Sequence, residues 1–148
     1  MAGKRTGWAG LLAALAALAQ TGCVSVGGPE PRRADCSNDE DCRVTVSVVD
    51  CSTFSCRAKV DIDEIHLRGN NARWELDKQA QDAGFRFDPG YGVWFKTLAG
   101  QRDFDCKIDG PMFKCKTKVH PPNGERYRYG VQLLGPKSVP LLDPWVVN

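Results

Sequence analysis

Cysteine is the residue type of this chain that can take part in the most kinds of chemistry, because a thiol can form a disulfide, bind a metal or act as a nucleophile. The chain has seven cysteines, and six of them form three close pairs along the sequence. The pairs are Cys36 with Cys42, Cys51 with Cys56, and Cys106 with Cys115. Zinc binding is the competing interpretation, but no CxxC spacing is present. The spacing therefore favours three local disulfides, which are typical of an oxidising compartment.

Two of these pairs sit where tight hairpins are expected. If residues 104–108 and 113–117 form the arms of one hairpin, Cys106 lies opposite Cys115. Directly opposed Cβ atoms in antiparallel strands are about 4.5–5.5 Å apart, which is near the distance that a disulfide spans. The same count places Cys51 opposite Cys56. Each closed loop is short, so the chain-entropy estimate is about 2–3 kcal/mol per bridge.

The seventh cysteine, Cys23, follows a stretch that is typical of an export signal. Lys4 and Arg5 give a positive start, residues 8–19 are rich in Ala and Leu, and small or polar residues follow. A membrane-spanning helix needs about 20 apolar residues, so this run is too short to span a bilayer. The pattern predicts a signal peptide over residues 1–22.

Gln20-Thr21-Gly22-Cys23 resembles the lipobox of bacterial lipoproteins, in which a small residue precedes a lipid-bearing cysteine. The resemblance implies that Cys23 is lipidated and anchors the protein to a membrane. Val24 stands where inner-membrane lipoproteins often have Asp, which implies the outer membrane, facing the periplasm. The alternative is cleavage after Ala17-Leu18-Ala19 by ordinary signal peptidase, which gives a free periplasmic or secreted protein. Gln20 favours that alternative, because the lipobox usually has an aliphatic residue there.

The remaining chain divides into a tether and one domain. Residues 23–34 are rich in Gly and Pro and lack apolar periodicity, so they are predicted to be a flexible tether. Residues 35–148 suffice for a single domain with one core. The full chain has 20 basic and 18 acidic residues, and the charges balance once Lys4 and Arg5 leave with the leader. This balance gives no reason to expect nucleic acid as a partner.

Apolar and polar residues alternate with period two through most of the domain, as in strands that are buried on one face. The fold class that this predicts is all-β, an antiparallel β-sandwich or a partly open barrel. One short helical turn is expected at residues 77–83, where Asp77 can cap the start and Gly84 can end it. The candidate strands are 44–48, 58–62, 72–76, 85–87, 93–98, 104–108, 113–117 and 127–133.

Other residues that could do chemistry do not form a convincing site. Cys115 and His120 have a spacing that suggests copper, with His66 upstream, but Cys115 already has a disulfide partner and no Met follows His120. The acidic run at residues 36–42 lacks the spacing of an EF-hand calcium loop. No GxSxG, HExxH or P-loop motif is present. We therefore expect no metal, no cofactor and no enzymatic activity.

A basic stripe is the best candidate for a binding surface. Cationic residues alternate with inward-facing ones on two candidate strands that follow each other in the chain, so they are predicted to form one stripe. An anionic envelope polymer or an acidic protein surface would suit it, while an ordinary solvated face is the alternative. Trp94 lies between Val93 and Phe95, so the three cannot all point inward, and Trp94 is a candidate surface anchor. The residues of the predicted stripe are Lys114, Lys116, Lys118, Arg126 and Arg128.

The chain stays apolar to its last residues, Leu142-Asp143-Pro144-Trp145-Val146-Val147-Asn148. Pro144 suits the start of an edge strand that has Trp145 and Val147 on one face. The ending resembles that of small exported bacterial β-sandwich proteins, which implies no particular activity. The sequence thus predicts a non-enzymatic envelope lipoprotein that acts as a binding or interaction module. The alternatives are a periplasmic inhibitor or immunity protein, and a small secreted hydrolase or metal-binding protein.

Overall fold

The computed structural model describes residues 30–36 and 41–148, so the predicted signal peptide, Cys23 and most of the acidic run lie outside the described residues. The described part contains twelve strands and two short helices. In chain order they are β1 Arg33–Asp35, β2 Asp41–Val49, β3 Arg57–Val60, β4 Glu64–His66, β5 Asn71–Leu76, α1 Lys78–Asp82, β6 Arg86–Phe87, β7 Val93–Phe95, α2 Leu98–Asp103, β8 Phe104–Asp109, β9 Met112–Thr117, β10 Arg126–Val131, β11 Leu133–Leu134 and β12 Trp145–Val147.

Two five-stranded sheets form the fold. Sheet I has the order β1-β4-β12-β10-β7, sheet II has the order β3-β2-β5-β9-β8, and β6 and β11 form a small separate ladder. The sheets meet through aromatic side chains: Trp74 of sheet II and Tyr129 of sheet I have ring centroids 5.1 Å apart. The predicted all-β sandwich is confirmed. The sheets are mixed, because β2 pairs with β5 in parallel and β4 pairs in parallel with both β1 and β12.

The period-two patterns form these strands because each one buries its apolar set. Val44, Val46 and Val48 of β2 are buried, while the residues between them face outward. In β5 the same alternation buries Ala72, Trp74 and Leu76. A one-residue slip would move each apolar set to the solvent face, so burial determines the register.

The C-terminal segment forms a central strand, whereas an edge strand was predicted. β12 pairs with β10 on one side and with β4 on the other. Val146 is fully buried, and Trp145 and Val147 share the opposite face, as the alternation predicts. Pro144 does not interrupt the ladder, because it precedes the first paired residue and its carbonyl accepts a hydrogen bond from the Tyr129 N–H.

The structure has two short helices where one was predicted. The predicted one is α1, and the side chain of Asp77 caps it by accepting a hydrogen bond from the Ala80 N–H at 2.7 Å. The second, α2, replaces the end of the strand predicted over 93–98. The hydroxyl of Thr97 accepts a hydrogen bond from the Gly100 N–H at 3.1 Å, so the chain turns into a helix immediately after β7.

The folded domain begins earlier than residue 35, so the boundary predicted for the tether is wrong. Residues 33–35 form β1, which pairs in parallel with β4. Arg32 adds an ion pair at 2.9 Å to Asp63, and its backbone N–H donates to the same carboxylate. These contacts hold the start of the domain against the loop that precedes β4.

The three predicted disulfides are present. The hairpin register places Cys106 opposite Cys115 and Ile108 opposite Phe113. Cys51 and Cys56 close the turn between β2 and β3, and both hairpin bridges join Cα atoms 4.0 Å apart. Cys36 and Cys42 join the end of β1 to the start of β2, with Cα atoms 5.4 Å apart. The bridges indicate an oxidising, extracytoplasmic location.

Candidate functional site

The predicted basic stripe does not exist as one surface, so that prediction is wrong. Lys114 and Lys116 lie on β9 in sheet II, whereas Arg126 and Arg128 lie on β10 in sheet I. The segment between the two strands crosses from one sheet to the other, and Lys118 lies just past β9 at the start of this crossing. Strands that follow each other in the chain are therefore not neighbours here.

Sheet II instead presents a different basic feature, which we call the cation row. Arg43 of β2 lies opposite Arg73 of β5, and Arg73 lies opposite Lys114 of β9. Lys114 in turn lies opposite Lys107 of β8. The four side chains share the outer face, because the alternate residues of each strand are turned toward the core. With strands about 4.8 Å apart, the row runs about 14 Å across the sheet.

Like charges that lie directly opposite each other destabilise a sheet, so this arrangement opposes folding. Neighbouring groups relieve it in part. The Lys114 Nζ reaches diagonally to Asp41 Oδ2 at 2.8 Å, and the Arg73 Nε lies 2.7 Å from the Met112 Sδ. Within the described residues, Lys114 is the one member of the row that forms an ion pair. Arg43 and Lys107 are exposed to solvent.

Carboxylates flank the cation row on both sides. Two residues along the strands in one direction lie Asp41 on β2 and Asp105 on β8. Two residues along in the other direction lie Glu75 on β5 and Asp109 on β8. An anion that follows β2, β5 or β8 therefore meets a carboxylate next to the cation, and one that follows β9 meets Lys114 and Lys116. An anion that crosses the strands along the row meets only cations. The surface therefore suits a linear anion that lies across the strands, along the cation row.

Asp41 shows how this field acts on a neighbouring group. Burial works against ionisation of its carboxyl, but hydrogen bonds from Lys114 and Asn71, with the charge of Arg73, outweigh burial. The pKa of Asp41 is therefore lower than usual. A cleft of about 640 Å³ lies at this end of the row, and its walls include Arg43, Arg73 and Asp41.

On sheet I the predicted binding residues Arg126 and Arg128 are occupied by contacts within the protein. Arg126 pairs with Glu64 at 2.5 Å and Arg128 with Asp143 at 3.1 Å. Both guanidinium groups also lie over the ring of Trp145, at 4.6 and 4.9 Å from its centroid. These contacts neutralise and position the arginines, so this face offers less free positive charge than the sequence predicts.

Glu64 is buried on this outer face, and its partners keep it charged. The His66 Nε2 lies 2.8 Å from its Oε1, and Arg33 and Arg126 also contact the carboxylate. The largest influence on the pKa of Glu64 is its hydrogen bond with His66, which lowers it. Burial acts to raise the pKa, and the hydrogen bond from Arg126 lowers it further. The pKa of Glu64 is therefore lowered. A histidine beside a carboxylate can serve a catalytic triad, but here two arginines already hold the carboxylate.

The loose copper pattern of the sequence is not assembled. Cys115 is in a disulfide on β9 of sheet II, while His66 lies on β4 of sheet I. His120 is exposed in the crossing after β9. Across residues 30–36 and 41–148, no group of three or more His, Cys, Asp or Glu side chains could hold a metal ion.

Trp94 faces outward, as its position between two buried neighbours predicts. Val93 and Phe95 point into the core, and the indole of Trp94 lies across Gly130 on the adjacent strand. A Cβ at Gly130 would come within 2.8 Å of the indole Nε1, so glycine leaves the room that the ring needs. The Nε1 is buried and has no hydrogen-bond partner among the described residues. Trp94 is thus half-buried against its own sheet.

Sequence reasoning found one member of the cation row, Lys114, and missed Arg43, Arg73 and Lys107. Each of the three alternates with apolar or cysteine neighbours, as an outward residue of a strand does. For Arg43 and Arg73 the missing information was the pairing of β2 with β5 and of β5 with β9. Lys107 could have been found, because the predicted hairpin with Cys106 opposite Cys115 also places Lys107 opposite Lys114.

No protein-family model matches the chain, and no curated protein is similar enough to be matched to it. None of the helices among the described residues has the length and apolar character needed to cross a membrane.

Proposed function

We propose that this protein is a non-enzymatic binding module of the bacterial cell envelope, and that the cation row holds an anionic polymer. The observation that carries the proposal is the direct opposition of Arg43, Arg73, Lys114 and Lys107 across four adjacent strands. A sheet stabilised only by its own contacts would place opposite charges in such positions. A bound polyanion removes the repulsion and converts it into binding free energy.

The row fits a polymer with charged groups at regular intervals. Strands about 4.8 Å apart set the interval between the cations, and side-chain flexibility lets them adjust to the ligand. Guanidinium groups bind phosphate or sulfate through paired hydrogen bonds, while ammonium groups act as point charges. Arg43 and Arg73 would therefore orient the anion, and Lys107 and Lys114 would extend the contact.

An extracytoplasmic location would bring the domain close to polymers of the envelope, which supports such a polymer as the ligand. Three disulfides suit an oxidising compartment. We propose that the protein lies at the outer membrane, facing the periplasm, with Cys23 carrying the lipid anchor. A tether of the kind predicted after Cys23 would let the domain reach a polymer near the membrane. Metabolic labelling with a lipid precursor tests the anchor: wild-type protein takes up label and Cys23→Ser does not, while absence of label from both contradicts the anchor.

The binding proposal is tested with polyphosphate, heparin and poly-glutamate as probes. Arg43→Gln/Lys107→Gln removes two exposed charges from the row. Lys59→Gln/Lys78→Gln is the matched control, because it removes two exposed charges on β3 and α1. We expect the row variant to lose about tenfold or more in affinity at low salt, and the control to change less than about twofold. Equal losses in the two variants would reject the cation row as the site.

A second candidate function, that of an inhibitor or immunity protein, is favoured by Phe54. Its side chain is 84% exposed at the tip of the turn closed by Cys51 and Cys56. The turn is held firmly: the Ser138 N–H donates to the Phe54 carbonyl, and the Lys137 ammonium donates to the Ser52 carbonyl. A rigid loop that presents one large apolar side chain suits insertion into a pocket of a protein partner.

The two functions are distinguished by replacing Phe54 in one variant and two cations of the cation row in another. Affinity capture from solubilised envelopes is compared between wild-type protein, Phe54→Ser and Arg43→Gln/Lys107→Gln. A protein retained by the wild type and the row variant but lost with Phe54→Ser supports the inhibitor function. Retention of the same proteins by all three rejects a role for Phe54.

A further inference from the structure

We propose that the exposed edge of β8 joins the same edge of a second copy of this chain, forming an antiparallel dimer in which sheet II continues across both copies. Strand β8 closes one side of sheet II with six residues, Phe104–Asp109. The opposite edge, β3, is partly covered, because Ser138 bonds to the Cys56 N–H and Arg32 to the Val60 carbonyl. In sheet I the edge strands β1 and β7 have three residues each.

The backbone groups that β8 leaves free follow from its pairing with β9. The Lys118 N–H donates to the Asp103 carbonyl, so residues 103, 105 and 107 direct their backbone groups toward the β9 side. Residues 104, 106 and 108 therefore direct their backbone N–H and C=O groups toward the open edge of sheet II. The Phe104 N–H is used by the Gly100 carbonyl at the end of α2. This leaves the Phe104 carbonyl and both backbone groups of Cys106 and Ile108 without a backbone partner in the described part of the chain.

A twofold axis at Cys106 lets these free groups bond to each other. Cys106 then exchanges two hydrogen bonds with its own copy, and each Ile108 N–H donates to the Phe104 carbonyl of the other chain. This register forms four interchain hydrogen bonds. None of them uses the Phe104 N–H, which already donates to the Gly100 carbonyl. Identical patches facing each other across a twofold axis are the usual form of a homodimer.

The charges of β8 favour this register over its neighbours. With the axis at Cys106, Asp105 lies opposite Lys107 of the other copy, and this pair occurs twice. An axis at Asp105 would oppose two carboxylates, and an axis at Lys107 would oppose two ammonium groups, each of which destabilises pairing. An axis at Ile108 would also pair Lys107 with Asp109 of the other copy, but it would set the turn at residues 110–111 against residues 105 and 106. Charge and backbone pairing together therefore favour the register centred on Cys106.

The surroundings of the edge also suit a second strand. Ile108 is 41% exposed, and in this register its backbone lies opposite that of Phe104 of the other copy, whose side chain is buried against Phe95. A groove of about 270 Å³ runs beside β8, lined by Tyr91, Trp94, Gln101 and Cys106 among others. The ring of Tyr91 is 64% exposed there. A strand added at β8 would cover apolar surface that now faces solvent.

Dimerisation goes beyond the proposed binding function and does not depend on it. The axis is perpendicular to the sheet, so both copies would present their cation rows on the same face. Two rows on one surface would let a long polymer bind twice, which raises its overall affinity.

Sedimentation velocity of the oxidised protein over a range of concentrations tests the dimer. We expect a monomer–dimer equilibrium in the wild type. Lys107→Asp places like charges opposite each other twice and should weaken the dimer by roughly tenfold or more. The exchange Asp105→Lys/Lys107→Asp restores two opposite-charge pairs and should restore the dimer, while Lys59→Asp is the control for the change of charge away from β8.

Hydrogen exchange provides a second readout that does not depend on the variants. In the dimer the amides of Cys106 and Ile108 become protected as the concentration rises, whereas the amide of Phe104 is already bonded. A wild-type protein that stays monomeric at all concentrations rejects the proposal. A dimer that is unaffected by Lys107→Asp, or that leaves the Cys106 amide unprotected, rejects β8 as its interface.

Discussion

Arg73 and Lys114 lie directly opposite each other on β5 and β9, although both are positively charged. Arg43 and Lys107 extend the same row to either side. The repulsion between these cations lowers the stability of the free protein. An anion bound along the row would remove that repulsion, so the same arrangement favours binding. Natural proteins often accept such a cost at a functional surface.

Removing one exposed charge of the row should separate stability from binding. Arg43→Gln relieves the repulsion from Arg73, so we expect the free energy of unfolding to stay the same or rise by up to about 0.5 kcal/mol. Affinity for polyphosphate should fall in the same variant. Urea unfolding and a binding titration measure the two quantities. A loss of stability together with unchanged affinity would show that Arg43 has a structural role instead.

The bridge between β8 and β9 should contribute measurably to stability. Cys106→Ala/Cys115→Ala removes a disulfide that links directly opposed residues and closes a short loop. We expect the free energy of unfolding to fall by about 2–3 kcal/mol, mainly because the unfolded chain becomes less restricted. Chemical unfolding of the oxidised proteins measures this difference. An unchanged unfolding midpoint would mean that the hairpin is stable without the bridge.

Tyr129 provides a buried hydrogen bond between the two sheets. The Trp74 Nε1 donates to the Tyr129 hydroxyl at 3.2 Å, and both side chains are fully buried. Tyr129→Phe should lower the free energy of unfolding by about 1–2 kcal/mol, because it leaves the indole N–H without an acceptor. In a Trp74→Phe background, which lacks this donor, the same change should have a smaller effect. Equal effects in both backgrounds would exclude the hydrogen bond as the cause.

Glu64 should make stability depend on pH in the acid range. Its pKa is lowered in the folded protein by the hydrogen bond to His66 and by Arg126, despite burial. A group with a lowered folded pKa adds stability above its unfolded pKa, and that contribution is lost as the pH falls toward the folded value. Stability should therefore decrease below about pH 4.5, and Glu64→Gln should make this decrease shallower.

Urea unfolding between about pH 3 and pH 7 measures the effect of Glu64. A slope remains in the Glu64→Gln variant, because the pKa values of Asp41 and Asp63 are also lowered. At neutral pH the variant should be less stable than the wild type by about 1–3 kcal/mol, because a glutamine has no charge and only one acceptor oxygen for the two groups, His66 and Arg126, that contact separate oxygens of Glu64. Parallel pH profiles for the two proteins would contradict the assignment to Glu64.

The features that could be predicted from the sequence are those that depend on near neighbours in the chain. The alternation in β2 and β5 gave the strands, and counting across one turn placed Cys106 opposite Cys115. The helix α2 was missed because Val93-Trp94-Phe95 has a strong strand pattern. Thr97, which caps α2, is β-branched and so also fits a continuation of that strand.

The other features that were missed depend on long-range pairing. The position of β12 between β4 and β10 brings together three distant segments, and hydrophobic alternation is the same in a central strand and in an edge strand. The cation row likewise needs the order of four strands in sheet II. Alternation predicts that Arg43, Arg73 and Lys107 face outward, and the predicted hairpin places Lys107 beside Lys114, but neither predicts that β2, β5 and β9 are neighbours.

The salt dependence of polyphosphate binding tests the role of the cation row most directly. Binding by charge releases counterions, so the logarithm of the association constant should fall linearly with the logarithm of the salt concentration. Removing Arg43 and Lys107 should reduce the magnitude of that slope by roughly two, whereas the Lys59→Gln/Lys78→Gln control should keep the wild-type slope. An unchanged slope in the row variant, or a wild-type protein that does not bind polyphosphate at low salt, would contradict the account.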